Sequence, residues 1–202
     1  MLKDLARPNV EKARLIILPS ILAAFLGFLL SVNSTNQRVH AFSTGPPAGY
    51  TGAPGEFTCA ECHVPPDAGT GRISITAPSS YVPVQTYPIS VTHLNSDLTR
   101  RRWGFQLTVL DPADEKAGNL QTTDLLTQVL DNQGPGSARQ YIEHASAGTF
   151  AGQSGGASWT FNWTAPQTDI GPVTLYVAGN QANNDGNSSG DYIYFQDRKG
   201  RP

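Results

Sequence analysis

The feature that most constrains the fold is a set of short segments in which every second residue is apolar. A period of two places alternate side chains on opposite faces of a β-strand, so each segment is predicted to form a strand with one buried face. The alternation is weakest in the fourth segment. The segments span residues 73–75, 87–93, 103–109, 126–130, 140–144, 159–163, 173–177 and 192–194.

Turn-forming residues separate these segments and indicate the fold class. Gly, Pro, Asn and Asp cluster at residues 111–112, 132–136, 152–156, 165–166 and 183–190. Gly (20) and Pro (15) are abundant while charged residues make up only 15%, which excludes a coiled coil, a helical bundle and a disordered acidic tail. We therefore predict an all-β domain over residues 72–197, an antiparallel β-sandwich of seven or eight strands.

Residues 1–41 have the layout of an export signal. Basic residues at 3, 7, 12 and 14 precede an uncharged run over residues 15–32. Val39 and Ala41 fit a small-residue cleavage site, and we predict cleavage after Ala41. The alternative is an uncleaved N-terminal membrane anchor, because 18 uncharged residues just suffice to cross a bilayer. Either version predicts that the rest of the chain is extracytoplasmic, in the periplasm, secreted or at the cell surface.

The segment that carries chemistry is residues 42–71, which is rich in Gly and Pro and lacks helix or strand periodicity. It contains the only two cysteines of the chain, in the sequence CAECH at residues 59–63. This C-x-x-C-H pattern is the attachment motif of c-type haem. The two thiols form thioethers with the haem vinyl groups, and the adjacent histidine binds the iron. We predict one covalent haem c held by Cys59 and Cys62, with His63 as the proximal iron ligand.

Three other uses of the two cysteines are weaker. A disulfide between Cys59 and Cys62 would close a very small loop and add little stability. A redox-active C-x-x-C usually opens a helix in a βαβ unit, whereas this one lies in a Pro/Gly-rich loop of an all-β chain. Zinc needs about four ligands, and the sequence has no second C-x-x-C.

Elimination reduces the number of candidate residues for the sixth iron ligand. Met and His are the common choices, but Met1 and His40 both lie in the predicted leader. His144 ends a predicted strand beside a Gly-containing turn, and it is the preferred distal ligand. His93 is a less favoured distal ligand, because it shares the apolar face of its segment and is more typical of a core histidine. A third alternative leaves the position open to a small gas or to peroxide.

Charge and motifs exclude several function classes. Residues 1–41 hold five of the 14 basic and two of the 16 acidic residues, so the remainder has a formal net charge of −5. That charge argues against nucleic-acid binding. Hydrolase signatures such as G-x-S-x-G and H-E-x-x-H are absent from the sequence, and we predict that the protein is not an enzyme. Three arginines at 100–102 could pair with haem propionates or an acidic partner, or simply end a strand in solvent.

An ordered set of short segments resembles the bacterial reelin-like (Reeler) family, also called choice-of-anchor V domain proteins. The resemblance covers about residues 43–195 and implies an immunoglobulin-like β-sandwich in an exported bacterial protein. It also favours His144, which falls where such proteins often carry a histidine. The matching segments are TGPP (44–47), TGAPGE (51–56), TCAECH (58–63), YVP (81–83), RWGFQL (102–107), YIEH (141–144), WTAP (163–166), AGNQAN (178–183) and GD (190–191).

Together these features predict three regions and one main function. Residues 1–41 are the signal peptide or anchor, 42–71 the haem-attachment loop and 72–197 the reelin-like β-sandwich. The predicted function is an exported monohaem c-type cytochrome that carries single electrons between extracytoplasmic redox proteins. It would contact a membrane only if the N-terminal helix is uncleaved. The alternative is a cell-surface binding or adhesion module in which haem is structural or absent.

Overall fold

The computed structural model describes residues 42–63, 69–133 and 139–201. The predicted signal peptide or anchor at residues 1–41 lies outside the described residues, and so do residues 64–68 of the predicted attachment loop. In the part of the chain that is described, no helix has the length and apolar character needed to cross a membrane.

Within the described residues, nine strands form two antiparallel sheets. The strands are β1 (Arg72–Thr76), β2 (Thr86–Leu94), β3 (Arg102–Leu110), β4 (Asn119–Thr122), β5 (Thr127–Gln133), β6 (Arg139–His144), β7 (Gly156–Thr164), β8 (Val173–Ala182) and β9 (Tyr192–Gly200). One sheet has the order β1-β2-β7-β4 and the other has the order β5-β6-β3-β8-β9. This architecture confirms the predicted all-β fold, an immunoglobulin-like antiparallel β-sandwich.

All eight predicted segments fall on strands, and the structure adds one that the sequence pattern missed. Leu126, predicted to open the fourth segment, lies just before β5. The extra strand β4 has four residues, of which only Leu120 is buried, so it is too short for a visible alternation. Its pairing partner is β7, with Leu120 opposite Trp163. A strand of this kind is defined by its neighbour rather than by its own composition.

The core lies between the two sheets and is built from the alternating apolar residues. Trp159, Phe161 and Trp163 of β7 are all buried on one face of the first sheet. The Phe105 ring of β3 packs against them from the other sheet, with its centroid 4.7 Å from that of Trp159. Each such aromatic side chain removes roughly 150–250 Å² from water, so this layer dominates the burial that holds the sandwich together.

The central strands β6 and β3 of the second sheet are buried on both faces because residues 42–63, here called the arm, cover their outer side. Every residue of β6 is buried, and so are eight of the nine residues of β3. Gln106 of β3 joins the arm twice: its Oε1 accepts from Tyr50 N at 2.7 Å and its Nε2 donates to Pro47 O at 2.9 Å. The Gln128 amide of β5 also donates to Thr44 O at 2.6 Å.

A buried ion pair fastens the middle of the arm to β6. Glu56 Oε1 accepts from Arg139 Nη1 at 2.6 Å and from the Tyr141 hydroxyl at 2.7 Å. The side chains of Arg139 and Glu56 are only 6% and 0% exposed. Removing one member of such a pair leaves an uncompensated buried charge and costs about 3–5 kcal/mol. The arm is therefore an integral layer of the domain, whereas its Gly/Pro-rich sequence alone is typical of a linker.

Glu143 lies under the arm, and no ion pair among the described residues gives it a cationic partner. It is 1% exposed, and its two oxygens accept from Gln128 Nε2 and Gln106 Nε2, each at 2.7 Å. Burial raises the pKa of Glu143 from 4.5 to about 7, and the two amide hydrogen bonds only partly offset this. The folded state therefore holds the Glu143 proton between pH 4.5 and 7 more tightly than the unfolded state does.

We expect the variant Glu143→Gln to gain stability relative to the wild type as the pH rises. A raised folded-state pKa contributes stability below pH 4.5 that is lost as pH rises through about 7, because the buried carboxylate must then ionise. The gain should reach up to about 3 kcal/mol at pH 8 and fall below about 1 kcal/mol at pH 5. Urea denaturation at both pH values measures it. Glu115→Gln, at an exposed position, is the control. An equal gain for Glu143→Gln at the two pH values would contradict the raised pKa of Glu143.

Candidate functional site

The C-x-x-C-H motif forms a single 3-10 turn over Cys59–Glu61. Thr58 caps this turn with its hydroxyl oxygen, and the backbone N–H groups of Cys62 and His63 both donate to Cys59 O, at 3.2 and 3.0 Å. Side chains three residues apart eclipse one another in a 3-10 turn. The two thiols therefore lie on the same side of the turn, immediately before the histidine.

A cavity lies between this turn and the second sheet, with about 920 Å³ of empty space, part of it open to solvent. Cys59, Cys62, His63 and His144 all line the cavity. His144 is more than 80 residues away in sequence from the motif, and it reaches the site because β6 ends there. The structure thus brings together four of the five side chains that the sequence singled out.

Gly104 makes room for His144 in the wall of this cavity. A Cβ atom at position 104 would lie 2.7 Å from Cε1 of the His144 ring, a separation that real Cβ atoms essentially never show. The absent side chain therefore lets the imidazole sit against β3. A glycine within a strand is the available sequence signal for such a close approach, and we did not assign it a role from the sequence.

The backbone of β3 orients the His144 ring. Phe105 N–H donates to Nδ1 at 3.1 Å in one tautomer of the ring, and Nδ1–H donates to Phe105 O at 3.2 Å in the other. Burial lowers the pKa of His144, and backbone hydrogen bonds to Phe105 and Phe42 partly offset that effect. The ring is therefore neutral at neutral pH. The tautomer with its proton on Nδ1, which donates to Phe105 O, has its lone pair on Nε2, as a metal-binding imidazole requires.

A buried carboxylate engages His63 from the opposite end of the chain. His63 Nδ1 lies 2.6 Å from Asp191 Oδ2, and the Asp191 side chain is 0% exposed. Asn180 Nδ2 is 3.1 Å from both ring nitrogens of His63. An atom at equal distance from both lies over the face of the ring, since an in-plane approach would collide with Cε1. Nε2 is the ring nitrogen that Asp191 leaves for other use.

The structure does not bring His93 to the cavity. His93 is fully buried between the sheets, where Nε2–H donates to Gly104 O at 3.1 Å and Nδ1 accepts from Gln181 Nε2 at 2.9 Å. Its ring also packs against Trp159, with the centroids 5.7 Å apart. Burial lowers the pKa of His93 to about 3. With both nitrogens engaged, His93 has the geometry of the core histidine weighed in the sequence rather than of the less favoured distal ligand.

The two cysteines are free thiols with raised pKa values. Burial raises the pKa of Cys59 to about 12, and it also raises that of Cys62, to which the Tyr50 hydroxyl donates a hydrogen bond. Thiols of this kind are protonated at neutral pH and are poor nucleophiles, which argues against a thiol–disulfide exchange site. Nowhere in residues 42–63, 69–133 and 139–201 do three His, Cys, Asp or Glu side chains group to hold a metal ion. The zinc alternative therefore gains no support, while a haem iron needs only axial ligands from the protein.

The three consecutive arginines have three different environments. Arg100 is buried, with Nη1 donating to Gly190 O and its guanidinium 4.2 Å from the centre of the Tyr192 ring. Arg101 is exposed. Arg102 lines the cavity, and its buried Nε has no hydrogen-bond partner among the described residues. Of the three, Arg102 is the one placed to meet a ligand in the cavity.

Sequence reasoning missed Gly104, Asn180 and Asp191. Asp191 ends the Asn/Gly-rich stretch of residues 183–191, whose composition is that of a plain turn. Three residues of that turn also line the cavity, namely Asn184, Gly186 and Asn187. The stretch is therefore one wall of the site, and nothing in its composition indicates this.

Comparison with known proteins shows similarity of structure only. No family model and no curated protein matches the chain. Solved structures that resemble it include a cohesin module from a family 33 glycoside hydrolase of Clostridium perfringens, with 12% identity, a TM-score of 0.45, and coverage of 66% of this chain and 97% of that one. A non-cellulosomal cohesin from Archaeoglobus fulgidus has 16% identity, a TM-score of 0.34, and coverage of 61% and 90%. At such TM-scores, the similarity says nothing about what this chain binds.

Proposed function

We propose that this protein is an exported monohaem c-type cytochrome that carries single electrons between extracytoplasmic redox proteins. Cys59 and Cys62 would hold haem c as thioethers, with His63 as the proximal ligand and His144 as the distal one. The observation that carries the proposal is the shared cavity, which both thiols and both imidazoles line. The reelin-like resemblance and the export signal, which are consistent with this function, stay predictions.

The cavity fits such a group in ligand chemistry, because two thiols and two imidazoles lie in its wall. Two buried polar atoms of its wall, Arg102 Nε and Asn180 Oδ1, have no hydrogen-bond partner among the described residues. A buried polar atom without a partner is costly, and a haem carboxylate would stabilise Arg102 Nε by accepting its hydrogen bond. Asn180 Oδ1 needs a donor instead, which an ionised carboxylate does not supply.

The proposed activity makes and breaks no substrate bond. Bound haem iron supplies one-electron chemistry, and the protein controls it through its ligands and their surroundings. His63 and His144 would both ligate the iron, which would favour electron transfer over gas binding. Two imidazoles would also give a lower potential than a His/Met pair, because thioether ligation raises the potential. The arm and the turn at residues 183–191 both supply side chains that line the cavity.

One preparation tests the proposal directly. The full chain is expressed in a host competent in cytochrome c maturation, and the exported protein is measured in its oxidised and reduced forms. We expect a Soret band, a sharp α-band on reduction and an intact mass increased by one haem under denaturing conditions. A colourless protein whose two thiols are both alkylated by iodoacetamide after unfolding would contradict the proposal.

A binding or adhesion module remains the second candidate function, with haem structural or absent. The observation that favours it is the exposure of Phe57 and Phe195, which are 58% and 71% exposed. Phe195 lies beside the arm, since its Cβ is 3.9 Å from the position a Cβ of Gly52 would take. Exposed aromatic side chains often mark protein interaction sites. A folded, colourless protein from the same preparation would favour this alternative.

We expect the variant Arg102→Gln to lower the reduction potential of the haem-loaded protein. A positive charge in the cavity wall stabilises the reduced state and compensates a haem carboxylate, so its removal disfavours reduction. A shift of tens of mV should result, since about 59 mV corresponds to a tenfold change for a one-electron couple. Spectroelectrochemical titration measures the shift. The exposed neighbour Arg101 provides the control. An equal potential shift in Arg101→Gln would show that the effect is not specific to Arg102.

A further inference from the structure

The carboxylate of Asp191 is buried beside His63 under conditions that ordinarily disfavour a buried charge. Its side chain is 0% exposed, and that of His63 is 12% exposed. None of the ion pairs found among the described residues joins Asp191 to a lysine or an arginine. Burying an ionised carboxylate costs several kcal/mol unless a partner offsets it. The hydrogen bond from His63 Nδ1–H at 2.6 Å is the shortest of its contacts and provides that partner.

Further hydrogen bonds fix the position of this carboxylate. Oδ1 accepts from Asn183 N at 3.1 Å, and Oδ2 lies 3.4 Å from Asn180 Nδ2. Asn180 in turn lies over the His63 ring. Three residues from β8 and the turn that follows it therefore set the height and rotation of an imidazole that belongs to the arm. The contact joins positions 128 residues apart, so local chain geometry does not produce it.

We infer that Asp191 is a positioning residue for the iron ligand His63 and lowers the reduction potential of the bound haem by accepting the Nδ1–H hydrogen bond. The inference rests on the proposed function. A carboxylate that accepts from the outer nitrogen of a ligating histidine fixes its tautomer and makes the other nitrogen a stronger donor. A stronger donor stabilises ferric iron more than ferrous iron, because the ferric ion carries one more positive charge.

A purely structural role for Asp191 predicts a different result. If Asp191 only holds the turn through Asn183 N, then an asparagine at 191 keeps an acceptor for that N–H and leaves the iron unaffected. If it acts on His63, the loss of its negative charge must appear in the electronic properties of the iron. The haem-loaded full chain with Asp191→Asn separates the two roles. Asp197→Asn, at an exposed position of β9, removes the same charge away from the cavity and serves as the matched control.

The experiment measures the midpoint potential and the iron–histidine bond. We expect Asp191→Asn to shift the reduction equilibrium about tenfold toward the reduced state, the usual scale for one hydrogen bond to a charged group. The Asp197→Asn control should shift it less than about twofold. Resonance Raman of the reduced His144→Ala protein should show a high iron–His63 stretching frequency, which falls when Asp191→Asn is added.

The outcomes separate the inference from the proposed function. Haem-loaded protein in which Asp191→Asn shifts the equilibrium no more than Asp197→Asn overturns the inference alone. If Asp191→Asn does not fold, the His144→Ala protein with Asp191 intact decides: an iron–histidine frequency typical of a neutral imidazole bonded to a carbonyl overturns the inference. Absence of haem from every preparation, including the wild type, overturns the proposed function and the inference with it.

Discussion

Replacing both Cys59 and Cys62 with alanine should abolish covalent haem in the exported protein. The sequence holds no other cysteine, so no other thioether can form. Each single variant should keep one thioether and a red-shifted α-band, because one vinyl group then stays conjugated to the ring. Acidified acetone extracts haem that is not covalently bound. The fraction of haem that stays on the chain after this extraction is the covalent fraction.

The fold itself should survive the loss of both thiols. Cys59 is buried but makes no disulfide, and Cys→Ala removes one atom at each site, a change of about 1 kcal/mol per site. Far-ultraviolet circular dichroism of the double variant should therefore keep the β-sheet spectrum of the wild type. Pigment that remains covalently attached to the double variant would contradict attachment at this motif.

The reduced His144→Ala variant should bind carbon monoxide, whereas the reduced wild type should not. The imidazole is 6% exposed and lines the cavity, so its removal opens an axial position on the iron next to empty space. We expect a shift of the Soret band on addition of carbon monoxide to the reduced variant, and none in the wild type. An unchanged low-spin spectrum in His144→Ala would remove this residue from the ligand set.

His93 provides the matched control for that experiment. His93→Gln also alters a buried histidine, but one whose two nitrogens bond to Gly104 and Gln181 within the core. We expect a stability loss of about 1–3 kcal/mol from the disturbed hydrogen bonds. The haem spectrum of this variant should be that of the wild type, and carbon monoxide should not change it. A variant at 93 that binds carbon monoxide, beside a His144→Ala protein that does not, would reverse the two assignments.

The strands and the motif were predictable because both are local patterns. Alternation of the kind seen in Trp159, Phe161 and Trp163 needs only a period of two, and the turn residues between segments need only their own backbone preferences. The C-x-x-C-H motif is likewise contained within five residues, and a 3-10 turn suffices to put both thiols on one side. The short strand β4 was missed for the same reason, since a single buried Leu120 makes no pattern.

The environment of the motif was not predictable, because it is formed by contacts between distant parts of the chain. The arm has the composition of a linker, and its docking through Glu56 and Arg139 requires a sheet that is already formed. Asn180 and Asp191 belong to a strand and a turn that lie far from the motif in sequence. Their roles follow only from what they contact, since Asn and Asp near a turn are ordinary in any sequence.

The sequence by itself determined that this chain forms an antiparallel β-sandwich and that its two cysteines and His63 are spaced for haem c, because such patterns act over a few residues. Only the tertiary structure decided that His144 rather than His93 shares a cavity with the motif, and that Asp191 contacts His63. Two histidines on similar strand segments are distinguished by which layer covers them. That layer is the arm, whose position depends on contacts spanning more than 80 residues of sequence.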